Sequence, residues 1–342
     1  MLKEQIEVLA LGACGGNIGM KFIEYGYRVA FVNSSLEDLA VIKAPIKIHI
    51  KGGEGCAKNR QTIKELAVNS IDDIIRDITT ALTAKYIVIP VGIGGGSGSG
   101  IAPSLISFLS SIGHICIPVL VFPSKYESAK TCENAWNFMS EISQINNVGS
   151  IFLLDNNSSE DRFAINNKFV KDFDAFVNIH NESAISNMDT REKKLLLETE
   201  GVSVIGRVSK SRSSITELIE SVIGGVYAPI ENKHPKYIGL STSNQSIKIS
   251  DLYSSFGEPY DAFVGYSKST SIIFLAGLQL PHKRIEEFKN KFERTVNTIN
   301  ESMMQQHPDI QPLQGLSIIN RRTIQPTATA NPRDILLGLL NN

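Results

Sequence analysis

The chain has 342 residues, with 34 Lys and Arg against 35 Asp and Glu, and a formal net charge of −1. So even a balance excludes a whole-molecule electrostatic case for binding nucleic acid directly or for lying on an anionic membrane, while the length predicts about two domains. The four cysteines (Cys14, Cys56, Cys116, Cys132) form no C-x-x-C pair, Glu4 and Glu7 stand where a signal peptide is apolar, and no unbroken apolar run approaches twenty residues; these features predict a soluble, cytoplasmic protein with free thiols.

In chain order, short Val/Ile/Leu-rich runs at Ile6–Leu11, Arg28–Val32, Ile46–Ile50, Tyr86–Val91, Ile115–Phe122 and Ser150–Leu154 predict buried parallel strands. Helical patterns at Gly19–Tyr25, Gln61–Thr83, Ile101–Ile112 and Ala129–Ile145 lie between them. That alternation predicts a doubly wound α/β sheet with its ligand crevice at the carboxyl ends of the strands. Phe163–Ser186 then reads as one long helix, with Phe163, Phe169, Phe173, Phe176 and Val177 among its apolar positions. Beyond Gly201 the pattern changes to a smaller α+β unit. Its expected elements are a strand at Val202–Val208, a helix at Ser213–Ile223, strands at Lys236–Leu240, Ala262–Ser267 and Ser271–Leu280, a charged helix from Pro281 to about Ser302, and a strand at Gly315–Ile324. The tail from Thr323 is rich in Pro, Thr and Ala and ends in an apolar stripe, Asp334–Leu340.

The run Gly94-Gly95-Gly96-Ser97-Gly98-Ser99-Gly100 is clamped between the strand at Tyr86 and the helix at Ile101. Strand, glycine-rich turn and helix N-terminus together hold a phosphate: glycines let N–H groups converge on an anion, and the helix dipole adds positive potential. A Walker-A loop would need Gly-Lys-Ser/Thr, which is absent, and neither Ser97 nor Ser99 sits in a Gly-x-Ser-x-Gly elbow. A second glycine turn, Gly12-Ala-Cys14-Gly15-Gly16-Asn17-Ile-Gly19, lacks dinucleotide-fingerprint spacing, and Asn33-Ser34-Ser35 stands where that fold has an acid.

The two glycine turns together resemble the tubulin/FtsZ superfamily, whose signature is a seven-residue glycine loop. Further landmarks follow in the same order: Asn33–Leu39, Lys51–Asn59, Pro123-x-x-x-Glu127, Phe163-x-x-x-Asn167 and Asn187-Met-Asp189-Thr-Arg-Glu192. The resemblance implies GTP and GDP as ligands, with Mg2+. It assigns nucleotide binding to Gly12, Cys14, Gly15, Gly16, Asn17, Asn33, Gly53, Gly55, Gly94, Gly95, Gly96, Ser97, Gly98 and Ser99, with the N–H groups of Gly15, Gly16, Gly95, Gly96, Ser97 and Gly98 around the phosphates, and the ribose to Pro123 and Glu127. Lys130 or Thr131 stands in for an arginine expected near Glu127. Phe163 is expected to stack on the purine and Asn167 to read the guanine edge. The magnesium ligands stay open, with Asn17 and Asn33 as candidates because Ser35 replaces the expected Asp.

The same resemblance makes Asn187, Asp189 and Glu192 a catalytic loop that reaches the nucleotide of a neighbouring subunit, so that hydrolysis accompanies head-to-tail polymerisation. Taken alone, Asn187 reads as the cap of the following helix and Glu192 as an ordinary first-turn acid. The expected organisation is a nucleotide-binding domain (1–162), a connecting helix (163–186), a catalytic loop with an activation-type domain (187–324) and a tail (325–342). The Cys-containing first turn and the GGGSGSG loop resemble tubulin more than FtsZ. The length is too short for eukaryotic tubulin and the tail is shorter than that of FtsZ, a combination that resembles the TubZ/PhuZ group of plasmid- and phage-encoded tubulins. The implied partners are further copies of the chain and a DNA-bound adaptor. A divergent FtsZ-like division protein and a non-polymerising nucleotide binder are the alternatives, and the tail stripe either docks on another protein or folds back on its own domain.

Overall fold

The apolar runs of the first half become β1 (Ile6–Leu11), β2 (Arg28–Asn33), β3 (Ile46–His49), β4 (Tyr86–Gly92), β5 (Ile115–Phe122) and β6 (Ser150–Asp155). The computed structural model describes residues 1–53, 55–179, 186–306 and 332–340. In the second half, β7 (Gly201–Ser209), β8 (Tyr237–Thr242), β9 (Asp261–Tyr266) and β10 (Thr270–Leu278) extend the same sheet, giving the order β3-β2-β1-β4-β5-β6-β7-β10-β8-β9. Only β10 runs antiparallel, against β7 and β8. The two halves join through a short parallel ladder, Ser150 opposite Gly201 and Ile151 opposite Val202.

The helices are α1 (Gly12–Glu24), α2 (Leu36–Ala40), α3 (Arg60–Asn69), α4 (Ile71–Ala81), α5 (Ser97–Ser111), α6 (Ala129–Ile142), α7 (Arg162–Val177), α8 (Thr190–Glu198), α9 (Ile215–Ile223), α10 (Tyr253–Phe256), α11 (His282–Gln306) and α12 (Pro332–Leu340). None among the described residues is long and apolar enough to cross a membrane. The α7 rings Phe169, Phe173 and Phe176 are fully buried and join the halves. Phe169 lies 5.2 Å from Phe152 of β6, and Phe176 lies 4.5 Å from Phe274 of β10. Burying each such ring contributes about 1.5–3 kcal/mol, so α7 fastens both parts of the sheet.

Three helices differ from the sequence reading. First, α1 begins at Gly12, seven residues before the periodicity predicts. Gly12 turns the chain at φ +68°, and a Cβ on Gly15 would stand 2.3 Å from the Pro90 carbonyl oxygen. One on Gly19 would stand 2.7 Å from Ala10 Cβ. Gly15 and Gly19 therefore form the face by which α1 lies on the sheet, and close packing overrides their poor helix propensity. Second, the run from Gln61 to Thr83 forms two helices, because Ser70 leaves helical geometry at φ −119°, ψ 23°. Third, α7 ends at Val177, where the Asn178 side chain donates to the Asp174 carbonyl (2.9 Å) and carboxylate (2.8 Å). The strand expected at Gly315–Ile324 lies outside the described residues.

The tail stripe folds back as α12 against α3, α4 and α5. Leu336 and Leu340 are buried there, Ser104 donates to the Leu339 carbonyl (3.1 Å), and Arg333 pairs with Asp72 (2.8 Å).

Candidate functional site

The order of strand addition reverses between β1 and β4, which are parallel: the chain builds outward to β3 on one side of this point and to β6 on the other. A cleft opens there, lined by the ends of five strands or the residues just beyond them: Leu11, Asn33, Gly92, Val121 with Pro123, and Asn156. Ligands bind doubly wound sheets at this switch point, because diverging loops leave a crevice above the strand ends.

Two helices start in that cleft, and neither N-terminus is closed by a side chain. Side-chain oxygens of Ser35, Asn59, Ser128, Asp161, Asp189 and Ser214 cap α2, α3, α6, α7, α8 and α9. α1 and α5, which begin at Gly12 and Ser97, have no side-chain cap. Their first-turn N–H groups have no intrahelical acceptor, and Gly12, Ala13, Cys14, Ser97 and Gly98 all line the cleft. The two termini also touch: a Cβ on Gly12 would stand 3.0 Å from Gly98 N, and one on Gly98 would stand 2.6 Å from the Leu11 carbonyl oxygen. Only glycine permits this approach.

The ionisable side chains lining the cleft cancel, Lys58 and Arg162 against Asp38 and Glu127. Attraction for an anion therefore falls to the backbone N–H groups and the two helix dipoles. Buried Asn134 of α6 sets the glycine loop from beneath, its Nδ2 donating to the carbonyls of Lys58 (2.8 Å), Gly94 (3.2 Å) and Gly95 (2.9 Å). With the Gly95 carbonyl tied down, trans peptide geometry turns the Gly96 N–H the opposite way. Ala57 and Lys58 both take positive φ (43° and 62°), and a Cβ on Gly96 would meet Lys58 Cα at 2.9 Å. This tight loop brings the Lys58 ammonium to Thr131 Oγ1 (2.8 Å). Ser34, fully buried at the end of β2, bonds the Ser97 hydroxyl at 2.7 Å.

Cys14 sits half-buried in the cleft, where burial and the Glu127 carboxylate push its thiol up to about 12 against the opposing pull of Arg162. Both influences favour the neutral thiol, which suits a group beside an anion.

Residues 5–162 match the family model described as Tubulin/FtsZ family, GTPase domain. The chain carries a tubulin/FtsZ-family GTPase domain. It is 29% identical over 320 residues to the tubulin-like protein TubZ of Clostridium botulinum C phage, covering 89% of this chain and 88% of that protein. The solved structure of the C-terminal tail-truncated TubZ from C. botulinum phage c-st superposes with a TM-score of 0.79 at 25% identity, covering 87% of this chain and all of that one. A GTPγS-form protofilament of TubZ from Bacillus thuringiensis serovar israelensis shares the fold at 16% identity (TM-score 0.75), covering 89% and 94%.

In the tubulin/FtsZ domain, the expected residues Gly12, Cys14, Asn33, Gly94–Gly98, Pro123 and Glu127 are brought together as cleft lining. Gly15 packs beneath α1, and Asn17 is exposed on that helix outside the lining. Gly16 faces the Ile42 side chain, and Gly53 packs on Leu66. Ser99 is buried with its hydroxyl donating to the Gly95 carbonyl (2.5 Å), which makes it a brace for the loop. Gly55 lies outside the lining, as does Lys130, which pairs with Glu133 at 2.9 Å. The basic group at Glu127 is instead Arg162, 3.2 Å away at the start of α7. Phe163 is 60% exposed rather than part of the core, and Asn167, one turn on, is also exposed; neither lines the cleft.

Asp189 and Glu192 form a reciprocal box at the start of α8. Asp189 Oδ1 accepts from the Glu192 N–H (2.8 Å), and Glu192 Oε2 accepts from the Asp189 N–H (2.7 Å). Asp189, rather than Asn187, is thus the cap, and all three residues lie outside the cleft of their own chain.

Sequence reasoning missed Asp38, Lys58, Asn134 and Arg162. For Asn134 a signal existed, a polar residue on the buried face of α6 among Cys132, Ala135 and Phe138. Arg162 had none, because its link to Glu127 spans 35 positions and arises only in three dimensions.

Proposed function

We propose that the chain is a GTP-binding and GTP-hydrolysing filament protein whose subunits add head to tail, with the Asn187–Glu192 loop of one completing the nucleotide site of the next. The observation that carries this reading is the meeting of two uncapped helix N-termini, α1 and α5, across a Gly12–Gly98 contact too close for any side chain. The N–H groups of that junction cradle the triphosphate, Glu127 accepts from the ribose hydroxyls, and a base leaving the cleft past Arg162 meets Phe163 and Asn167. Residues 1–162 bind nucleotide, and the part from 187 to 324 supplies the carboxylates.

Among the described residues no cluster of three or more His, Cys, Asp or Glu is placed to hold a metal. A magnesium ion caged by protein alone does not fit, whereas one held mainly by phosphate oxygens and water does, with Asp38 and Ser97 as its protein contacts. Asn33 donates to Asp38 at 2.9 Å and holds that carboxylate at the cleft. The ion would supply neutralisation of charge on the β- and γ-oxygens.

For hydrolysis, the oxygen of the attacking water bonds to the γ-phosphorus as the bond to the β,γ-bridging oxygen breaks, and a carboxylate takes the water's proton. Asp189 and Glu192 suit this, since each keeps one oxygen outside its reciprocal box. The protofilament form of the Bacillus TubZ supports self-association of a chain with this fold; the role proposed for the filament, positioning plasmid or phage DNA through an adaptor, rests on the resemblance to the TubZ/PhuZ group. GTP turnover per molecule, followed with light scattering across protein concentration, tests the reading. The expected result is a threshold above which both rise together; turnover independent of concentration refutes a site completed between subunits.

A further inference from the structure

The sugar-side wall of the cleft is held from behind by the second half of the chain. Arg284, Phe288 and Lys291 fall at i, i+4 and i+7 on α11 and so share one face. Buried Arg284 donates from Nη2 to the Pro123 carbonyl (2.6 Å) and grips Asp155 through Nε (2.7 Å) and Nη2 (3.0 Å). Phe288 meets Phe122, the last residue of β5, edge-on at 5.2 Å. Lys291 donates from Nζ to the carbonyl of Lys125 (2.6 Å) and to that of Glu127 itself.

The backbone carbonyls of Pro123, Lys125 and Glu127 thus all end on α11. Asp155 also accepts from the Asn157 N–H (2.9 Å), so the turn holding Asn156 is anchored to the same helix. Pro123, Glu127 and Asn156 line the cleft. These bonds do not touch the phosphate cradle at α1 and α5.

We propose that α11 sets recognition of the nucleotide's sugar, with Arg284 and Lys291 as positioning residues that hold Glu127 in place. The inference rests on Glu127 as the ribose acceptor. A loop held at its carbonyls presents its carboxylate in one position, whereas a released loop spreads that carboxylate over many and loses the hydroxyl contact. Recognition of the phosphates stays intact.

The test is a comparison of GDP with 2′,3′-dideoxy-GDP, by dissociation constants of the full chain below its assembly concentration. Lys291→Met is expected to weaken GDP about tenfold while changing the dideoxy ligand less than twofold, the size of one lost charge-assisted hydrogen bond. Arg284→Lys, which keeps the charge and loses the fork, is expected to act in the same direction. Lys289→Met is the control, since Lys289 lies over the Trp136 ring (5.5 Å) and away from the loop. Equal weakening of both ligands by Lys291→Met marks general loosening and overturns the inference, as does no weakening. Glu127→Ala separates the two claims. If it leaves the ratio of the two constants unchanged, the ribose reading fails. If it narrows the ratio while Lys291→Met does not, the role of α11 alone is overturned.

Discussion

The box at the start of α8 allows the cap and the catalytic role of Asp189 to be separated by two substitutions. Asp189→Asn retains an oxygen that accepts from the Glu192 N–H, and Asn caps helices about as well as Asp. Asp189→Ala removes both the cap and the carboxylate, at a cost of about 1 kcal/mol. At roughly 2.1 cal/mol/K per residue over 342 residues, that lowers the melting temperature by about 1–2 °C. A structural role alone predicts that Asn restores both melting and turnover. Catalysis in trans predicts that both variants lose turnover, by about 10²–10⁴-fold, while Asn keeps the melting temperature. The assay is GTP turnover above the assembly threshold, paired with thermal melting and GTP affinity, which stays unchanged because Asp189 lies outside its own cleft. Wild-type turnover in Asp189→Asn would refute the carboxylate's catalytic role.

Two glycines of the loop separate folding from binding. A Cβ on Gly95 meets nothing nearer than the Gly92 carbonyl at 3.7 Å, so Gly95→Ala should melt within about 1 °C of wild type while GTP affinity, read by titration, falls at least tenfold as the methyl enters the phosphate space. Gly98→Ala puts its methyl 2.6 Å from the Leu11 carbonyl oxygen and should lose both stability, by about 1–3 kcal/mol in denaturant unfolding, and binding; wild-type GTP affinity in either variant would contradict the cradle. For Cys14, a thiol raised from 9.0 to about 12 holds roughly a thousandfold less thiolate at pH 8. Higher intrinsic nucleophilicity recovers part of that, leaving alkylation by iodoacetamide about 30–60-fold slower than for a free thiol. Mass-spectrometric labelling at the free-thiol rate would show the cleft to be more polar than described.

Elements whose physics is local were legible in the order of amino acids. Six apolar runs separated by helical patterns dictate buried parallel strands, and all six form within a residue of where they were read. The glycine run fell between a strand and a helix, which leaves an anion-binding terminus as its natural reading. The spacing of Phe169, Phe173 and Phe176 gave the buried face of α7, and the exposure of Phe163, six residues before Phe169, fits its place outside that stripe. Helix ends were less legible. Glycines at 15 and 19 have helical spacing, but their low propensity hid the start of α1 until the sheet supplied the surface those two pack on.

Which side chains converge emerged from the packing of elements against one another. Arg162 reaches Glu127, Asn134 holds three carbonyls of two separate loops, and Arg284 spans 129 positions to Asp155. Periodicity records which residues leave water along one element, because burial repeats with the backbone. Partnerships between elements depend on how helices cross the sheet, so they leave no repeating trace along the chain.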